Sequence, residues 1–208
     1  MPIFDSFWQA GYEGADHRNG QGMPLSMNDV TGHNARVLSD YISLKKLNIS
    51  TVRESVGWRL VETAHGYDFS SVAEKMQAAN EAGIQICWTI CHYGWPDDTD
   101  IFSPDLVPRF AKLCGALAQF LVPWYVSSPV YSPVNEISFT SWALSVGFFR
   151  CSAPPGIATG EESKRQLVRA TIAACEAIWA ADPRARILHC DPIIHLATPD
   201  ESLSLIHI

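Results

Sequence analysis

Basic charge, paired cysteines and long apolar runs are all scarce in this chain. Its 208 residues hold 15 Lys and Arg against 22 Asp and Glu, a net charge of -7. No basic block occurs, which argues against a nucleic acid or an anionic membrane surface as partner. No uninterrupted apolar stretch reaches the roughly 20 residues of a membrane span. The N-terminal MPIFDSFWQAGYEG lacks the basic segment and apolar run of a secretory leader. The six cysteines, at 87, 91, 114, 151, 175 and 190, include no CxxC pair and no Cys/His zinc spacing. Most sit in apolar segments (Cys87, Cys114, Cys175) and read as small buried hydrophobes of a reducing compartment, so the cytoplasm is the expected location. No GxGxxG follows the first strand and no GxxxxGK[ST] occurs, which lowers the dinucleotide and P-loop readings; no cofactor is implied. Repeats and low-complexity runs are absent as well.

What the chain does have is apolar mass, 47% of residues, and seven Trp. Such rings fill cores, and they are also the platforms on which sugars stack. Strands and helices alternate. A first strand in IFDSFWQAGYEG precedes HNARVLSDYISLKKLN, where Val37, Leu38, Tyr41, Ile42 and Leu47 share a helical face. ISTVRES is the next strand. SSVAEKMQAANEAG is predicted as a helix with Ser71 and Glu74 as a capping box and Gly83 beyond its end. IQICWTICHYGWP is a strand buried on both faces. In SPDLVPRFAKLCGALAQFL, Ser103 is expected as N-cap and Pro104 as the first helical residue. PVYSPVNE is the fourth strand, with Pro133 tolerable only near its end. Thr159 and Glu162 are expected to cap a helix that turns Val168, Ile172, Cys175 and Trp179 inward. ARILHCDPI is the fifth strand. Alternation with short links means parallel β/α units, in a doubly wound sheet or a (β/α)8 barrel.

This order puts Glu13, Arg53, His92, Asn135, Glu136 and Asp191 at C-terminal strand ends, the rim that carries the active site in parallel β/α folds. A carboxylate closing an apolar strand, as in YSPVNEISF, costs roughly several kcal/mol unless it is paired or lines a wet cleft. Glu136 is therefore either a structural carboxylate held by an Arg or a catalytic one. Arg53 could equally be an interior salt-bridge residue, and His92 a satisfied core histidine. Cys91 and His92 are no metal pair, because adjacent strand residues point to opposite faces. His189, Asp191 and His195 raise the separate possibility of a metal-dependent barrel hydrolase.

The segments SDYISLKKLNISTVRESVGWRLVE, CWTICHYGWPDD and YSPVNE together resemble the retaining glycosidases built on (β/α)8 barrels, and among them family 1 of the glycoside hydrolases, the β-glucosidase-like enzymes. The R-x-S-x-x-W pattern of that family is met by Arg53, Ser55 and Trp58. A His, an aromatic and a nearby Pro are met by His92, Tyr93 and Pro96, although the aromatic is usually Trp. Asn135-Glu136 and Glu13-Gly14 close the set. The family's glycone-binding Gln is absent, with Gly11 near its place, which leaves sugar specificity open. A non-catalytic carbohydrate-binding barrel would carry the same fold.

The resemblance implies Glu136 as acid/base, kept protonated near neutral pH by an apolar wall and a negative partner. It implies that Asn135 binds the sugar 2-hydroxyl, that Arg53 holds the nucleophile ionised, and that His92 and Glu13 line the carbohydrate site; Trp95 and Trp142 are candidates for sugar stacking, with core packing the alternative for both, and no metal is expected. The family barrel has eight strands and its nucleophile on the seventh; five are counted here. Residues 1–202 are thus expected to be the N-terminal portion of one barrel, inactive alone. The tail LSLIHI, residues 203–208, reads as translated library-adapter DNA and is expected to be non-native.

Overall fold

The computed structural model of the chain describes residues 3–193. His195 and the 203–208 tail lie outside the described residues. Strands β1 (Gln9–Gly11), β2 (Thr51–Ser55), β5 (Gln85–Cys91), β6 (Val130–Val134) and β7 (Arg186–Ile187) form one sheet in that spatial order, and every pair is parallel. Register is continuous across the centre: Gly11 lies beside Arg53, Arg53 beside Cys87, and Cys87 beside Val130. A two-stranded antiparallel hairpin, β3 (Glu62–Thr63) and β4 (Gly66–Tyr67), is set apart from it. The helices are α1 (Met27–Val30), α2 (Val37–Lys46), α3 (Trp58–Val61), α4 (Ser70–Ala82), α5 (Leu106–Leu121), α6 (Ile137–Ser145) and α7 (Ile157–Ala181). These are the β/α units of a (β/α)8 barrel, and five of its strands are present among the described residues.

All seven residues of β5 are buried, as the two-sided apolar run requires. On one side Trp88 is fully buried and donates Nε1–H to the Tyr125 hydroxyl at 2.9 Å. Along α5, Leu106, Phe110, Leu113, Leu117 and Leu121 are buried, each contributing about 1.5–3 kcal/mol. Leu106–Trp124 is long and apolar enough to cross a membrane, a property this inward-facing stripe accounts for. Pro133 is the last residue but one of β6, and the β6–β7 ladder stops just before it, at Tyr131 beside Ile187: Leu188 N still donates to Tyr131 O at 2.8 Å, but a proline has no N–H for the bond that would follow.

Helix starts differ from the sequence reading. No N-cap side chain bonds the start of α4; Asp68 accepts from the Ser70 N–H at 2.9 Å instead, and the Ser71/Glu74 box does not form. Gly83 closes the helix at φ 65°, as expected. Ser103 makes a turn, accepting from Asp105 N at 3.1 Å, and α5 begins at Leu106. Thr159 does not cap α7, which starts at Ile157; its hydroxyl donates to Pro154 O. The inward face of α7 is also different. Val168, Ile172 and Trp179 are exposed, while Gly160, Ser163, Leu167, Ala170, Ala174 and Ile178 are buried. Small residues win that face because α5 and α6 approach closely: a Cβ on Gly160 would lie 2.8 Å from Ser145 Cβ. On α2, Tyr41 is buried, whereas Ile42 and, just past the helix end, Leu47 are exposed.

Candidate active site

The rim is built by close backbone approach at the strand ends. After β1 the chain presses against β2 so tightly that a Cβ on Gly14 would lie 2.1 Å from Ser55 Cβ. This contact explains why Glu13-Gly14 and Arg53-x-Ser55 occur together, and it sets Glu13 over the rim. The Glu13 carboxylate accepts from Ala15 N at 3.0 Å and lies 3.3 Å from His92 Nε2. His92 is buried. Burial, with the Arg53 cation and His17 beside it, pushes its imidazole down to about 3, so the ring is neutral in neutral solution. Arg53 projects from β2 and donates Nε–H to Thr89 Oγ1 at 2.7 Å and Nη2–H to Asn135 Oδ1. With that oxygen engaged, the Asn135 amide N–H groups remain free to donate. A cavity of about 200 Å³ is lined by Gly11, Glu13, Arg53, Thr89 and His92 among others.

Glu136 occupies the N-cap position of α6 at φ 47°, ψ 66°, in the left-handed region that costs a non-glycine residue about 1–3 kcal/mol. An N-cap side chain ordinarily turns back onto its own helix. Here Asp191, from beyond β7, does that work: its carboxylate accepts from Ser138 N at 3.1 Å and Ser138 Oγ at 3.2 Å. The Glu136 carboxyl is thereby left to accept a hydrogen bond from the Tyr93 hydroxyl. Among the described residues no Lys or Arg pairs with Glu136. Tyr93 was matched in sequence only as an aromatic in a motif; its hydroxyl on Glu136 has no signature in the primary structure. Burial and the neighbouring Glu136 carboxylate raise the phenol well above its ordinary pKa, so it stays a donor.

The two tryptophans part company. Trp95 packs on the core and lines a second, larger cavity of about 610 Å³ with Tyr93, Arg18, Asp97, Phe149 and Arg150. Trp142 is 54% exposed on α6 against Phe139 and lines neither cavity. Of the three residues that raised the metal-ligand alternative, His195 lies outside the described residues. His189 Nε2 lies 3.6 Å from Asp191 Oδ2, Asp191 is occupied as a helix cap, and among the described residues no three His, Cys, Asp or Glu side chains converge.

A parallel barrel with polar side chains gathered at its C-terminal strand ends defines the TIM-barrel class of folds. Solved structures share it: a β-glucosidase from Thermotoga maritima in complex with deoxynojirimycin (TM-score 0.77, 15% identity, 94% of this chain and 50% of that one). A family 1 β-glucosidase from the same organism (TM-score 0.71, 16% identity, 81% and 40%) and the AHE enzyme from Alicyclobacillus herbarius (TM-score 0.69, 16% identity, 90% and 48%) are similar too. The chain spans half or less of the length of these structures. No family model and no curated protein matches the sequence.

Proposed function

We propose that this chain forms the first part of a retaining β-glycosidase barrel acting on a carbohydrate substrate. The observation that carries the reading is the gathering of Glu13, Arg53, His92 and Asn135 around one rim next to a Glu136 carboxyl that no Lys or Arg among the described residues holds. In this reading Glu136 is the acid/base: it protonates the glycosidic oxygen as the bond to the anomeric carbon breaks, then removes a proton from the incoming water. Asn135 offers its free amide N–H to a sugar hydroxyl. Neutral His92 and the half-exposed Glu13 bind further hydroxyls, and Trp95 borders the departing group. Arg53 supplies positive charge across the site. Retention requires a carboxylate nucleophile about 5–5.5 Å from the acid; we assign it to a later strand outside this chain, with residues 1–202 one portion of the barrel and 203–208 a non-native tail. The cytoplasm is the proposed location.

The β-glucosidase structures above, one of them in complex with deoxynojirimycin, support the carbohydrate reading. Stereochemistry tests it. A complete barrel containing this sequence should release the β-anomer first from an aryl β-glycoside, as followed by proton NMR, while the 208-residue chain alone turns nothing over. First release of the α-anomer, or robust turnover by the isolated chain, would contradict the proposal.

A further inference from the structure

Three non-glycine residues among those described have positive φ: Asn48, Tyr93 and Glu136. Asn48 follows the end of α2, a common place for such a conformation. The other two stand on adjacent strand ends and are joined to each other through the Tyr93 hydroxyl and the Glu136 carboxyl. Strained backbone persists only where surrounding structure enforces it, and here the enforcement is visible. Asn135 N donates to Cys91 O at 2.9 Å and Asp16 N to His92 O at 3.2 Å. Cys91 Sγ donates to Gly94 O at 3.4 Å, and Gly94 fits only because it lacks a Cβ, which would lie 2.6 Å from Asp16 Cγ. Around the ring, His92, Phe139 and Phe149 pack with centroids 4.6, 5.4 and 5.1 Å away.

We propose that Tyr93 is a positioning residue that confines the acidic proton of Glu136 to Oε1, an inference that rests on Glu136 being the acid. A neutral carboxylic acid has one oxygen carrying the proton and one that accepts. The phenol O–H, aimed at Oε2, makes Oε2 the acceptor, so Oε1 holds the proton. When the glycosidic bond breaks, its electron pair goes to the leaving oxygen, which takes the Oε1 proton, and the anomeric carbon passes to the carboxylate nucleophile. The negative charge then left on Glu136 is met by the same phenol, now in a stronger, charge-assisted hydrogen bond. A Trp at this place has an indole N–H but no hydroxyl.

The test is Tyr93→Phe in the complete barrel, which keeps the ring and its packing and removes one oxygen. For alkyl β-glycosides, whose leaving group needs the proton, kcat/KM should fall about tenfold; for dinitrophenyl glycosides, which leave unaided, it should stay within about twofold. In the Glu136→Gln background, Tyr93→Phe should add less than about twofold, because its effect passes through Glu136. Equal loss on both substrate types, no loss on either, or the same tenfold loss with Glu136 already replaced would overturn the positioning role. If Glu136→Gln alone shows no leaving-group dependence, the acid assignment fails; if it does and Tyr93→Phe does not, only the role of Tyr93 fails.

Discussion

Asp16 lies buried beneath the turn that carries Tyr93; among the described residues no well-aligned hydrogen bond reaches its carboxylate oxygens, and the backbone N–H groups of Asp16, Arg59 and Gly94 are near enough only to moderate the cost of burial. The Arg59 guanidinium nearby spends its donors on the Asp16 and Leu25 carbonyls, at 2.7 and 2.8 Å. Burial therefore dominates and pushes the Asp16 carboxyl up to about 7, with Arg59 only partly offsetting it. Because the folded-state value lies above the unfolded one, the native state holds the extra proton between them, and this group's stabilisation is lost as pH rises from about 4 through about 7. At about 1.4 kcal/mol per unit the full loss is on the order of 4 kcal/mol. His92, depressed to about 3, gives the opposite slope between its folded value and the ordinary one near 6.5. The wild-type curve thus conceals both, and the informative quantity is a difference. The stability of Asp16→Asn relative to wild type, from urea unfolding, should rise by roughly 2–4 kcal/mol between pH 4.5 and 7.5; a pH-independent difference would place the linkage elsewhere. At this scale Glu13, His92 and Asn135-Glu136 follow the apolar run of a strand and so could be placed near the rim from sequence, whereas Arg53 stands in the middle of β2 and reaches Asn135 through its long side chain. Asp16 and the Tyr93 hydroxyl were not legible, because a turn's left-handed geometry and its tight contact with Gly94 leave no periodic trace.

Between elements, a buried charge network fastens β2 to α2 and α4. Glu54 is fully buried and accepts from Lys75 Nζ at 2.7 Å and Tyr41 Oη at 2.8 Å, with His33 Nε2 at 2.8 Å. His33 also contacts Asp40 at 2.7 Å and stacks on Tyr12 at 3.6 Å. These contacts outweigh burial, holding the Glu54 carboxyl below and the His33 imidazole above their ordinary values. The sequence placed Glu54 in the strand without revealing its partners, since Lys75 and His33 reach it from distant segments. The strand order was readable because each strand is a distinct apolar run between helices. The face of α7 was not, because hydrophobicity points to Val168, Ile172 and Trp179 while close packing selects Gly160, Ala170 and Ala174. Substitutions separate the two faces. In this chain Ala174→Leu should lower the unfolding free energy by about 1–3 kcal/mol through overpacking, and Ile172→Ser by less than about 0.5 kcal/mol. Chemical denaturation of the two variants decides; the reverse order would mean that the exposed stripe is in fact covered.

For the molecule as a whole, β1 and β7 each have one paired neighbour among the described residues. Next to β7, α7 shows its apolar stripe to solvent, Ile172 at 56% and Trp179 at 46% exposure. Open strand edges and bare helix faces of this kind are what closure into a barrel removes, and they agree with the proposal that later β/α units complete this one. The alternating order of apolar runs showed the fold class, but closure of a barrel depends on pairing between distant strands, which no local pattern reveals. The central claim is that Glu136 gives up a proton at the mouth of that barrel. Its most direct test is the ratio of kcat/KM for alkyl and dinitrophenyl β-glycosides in Glu136→Gln, measured in the complete barrel. The account predicts a loss of about a hundredfold or more on alkyl glycosides with a far smaller loss on dinitrophenyl ones; an equal loss on both would contradict it.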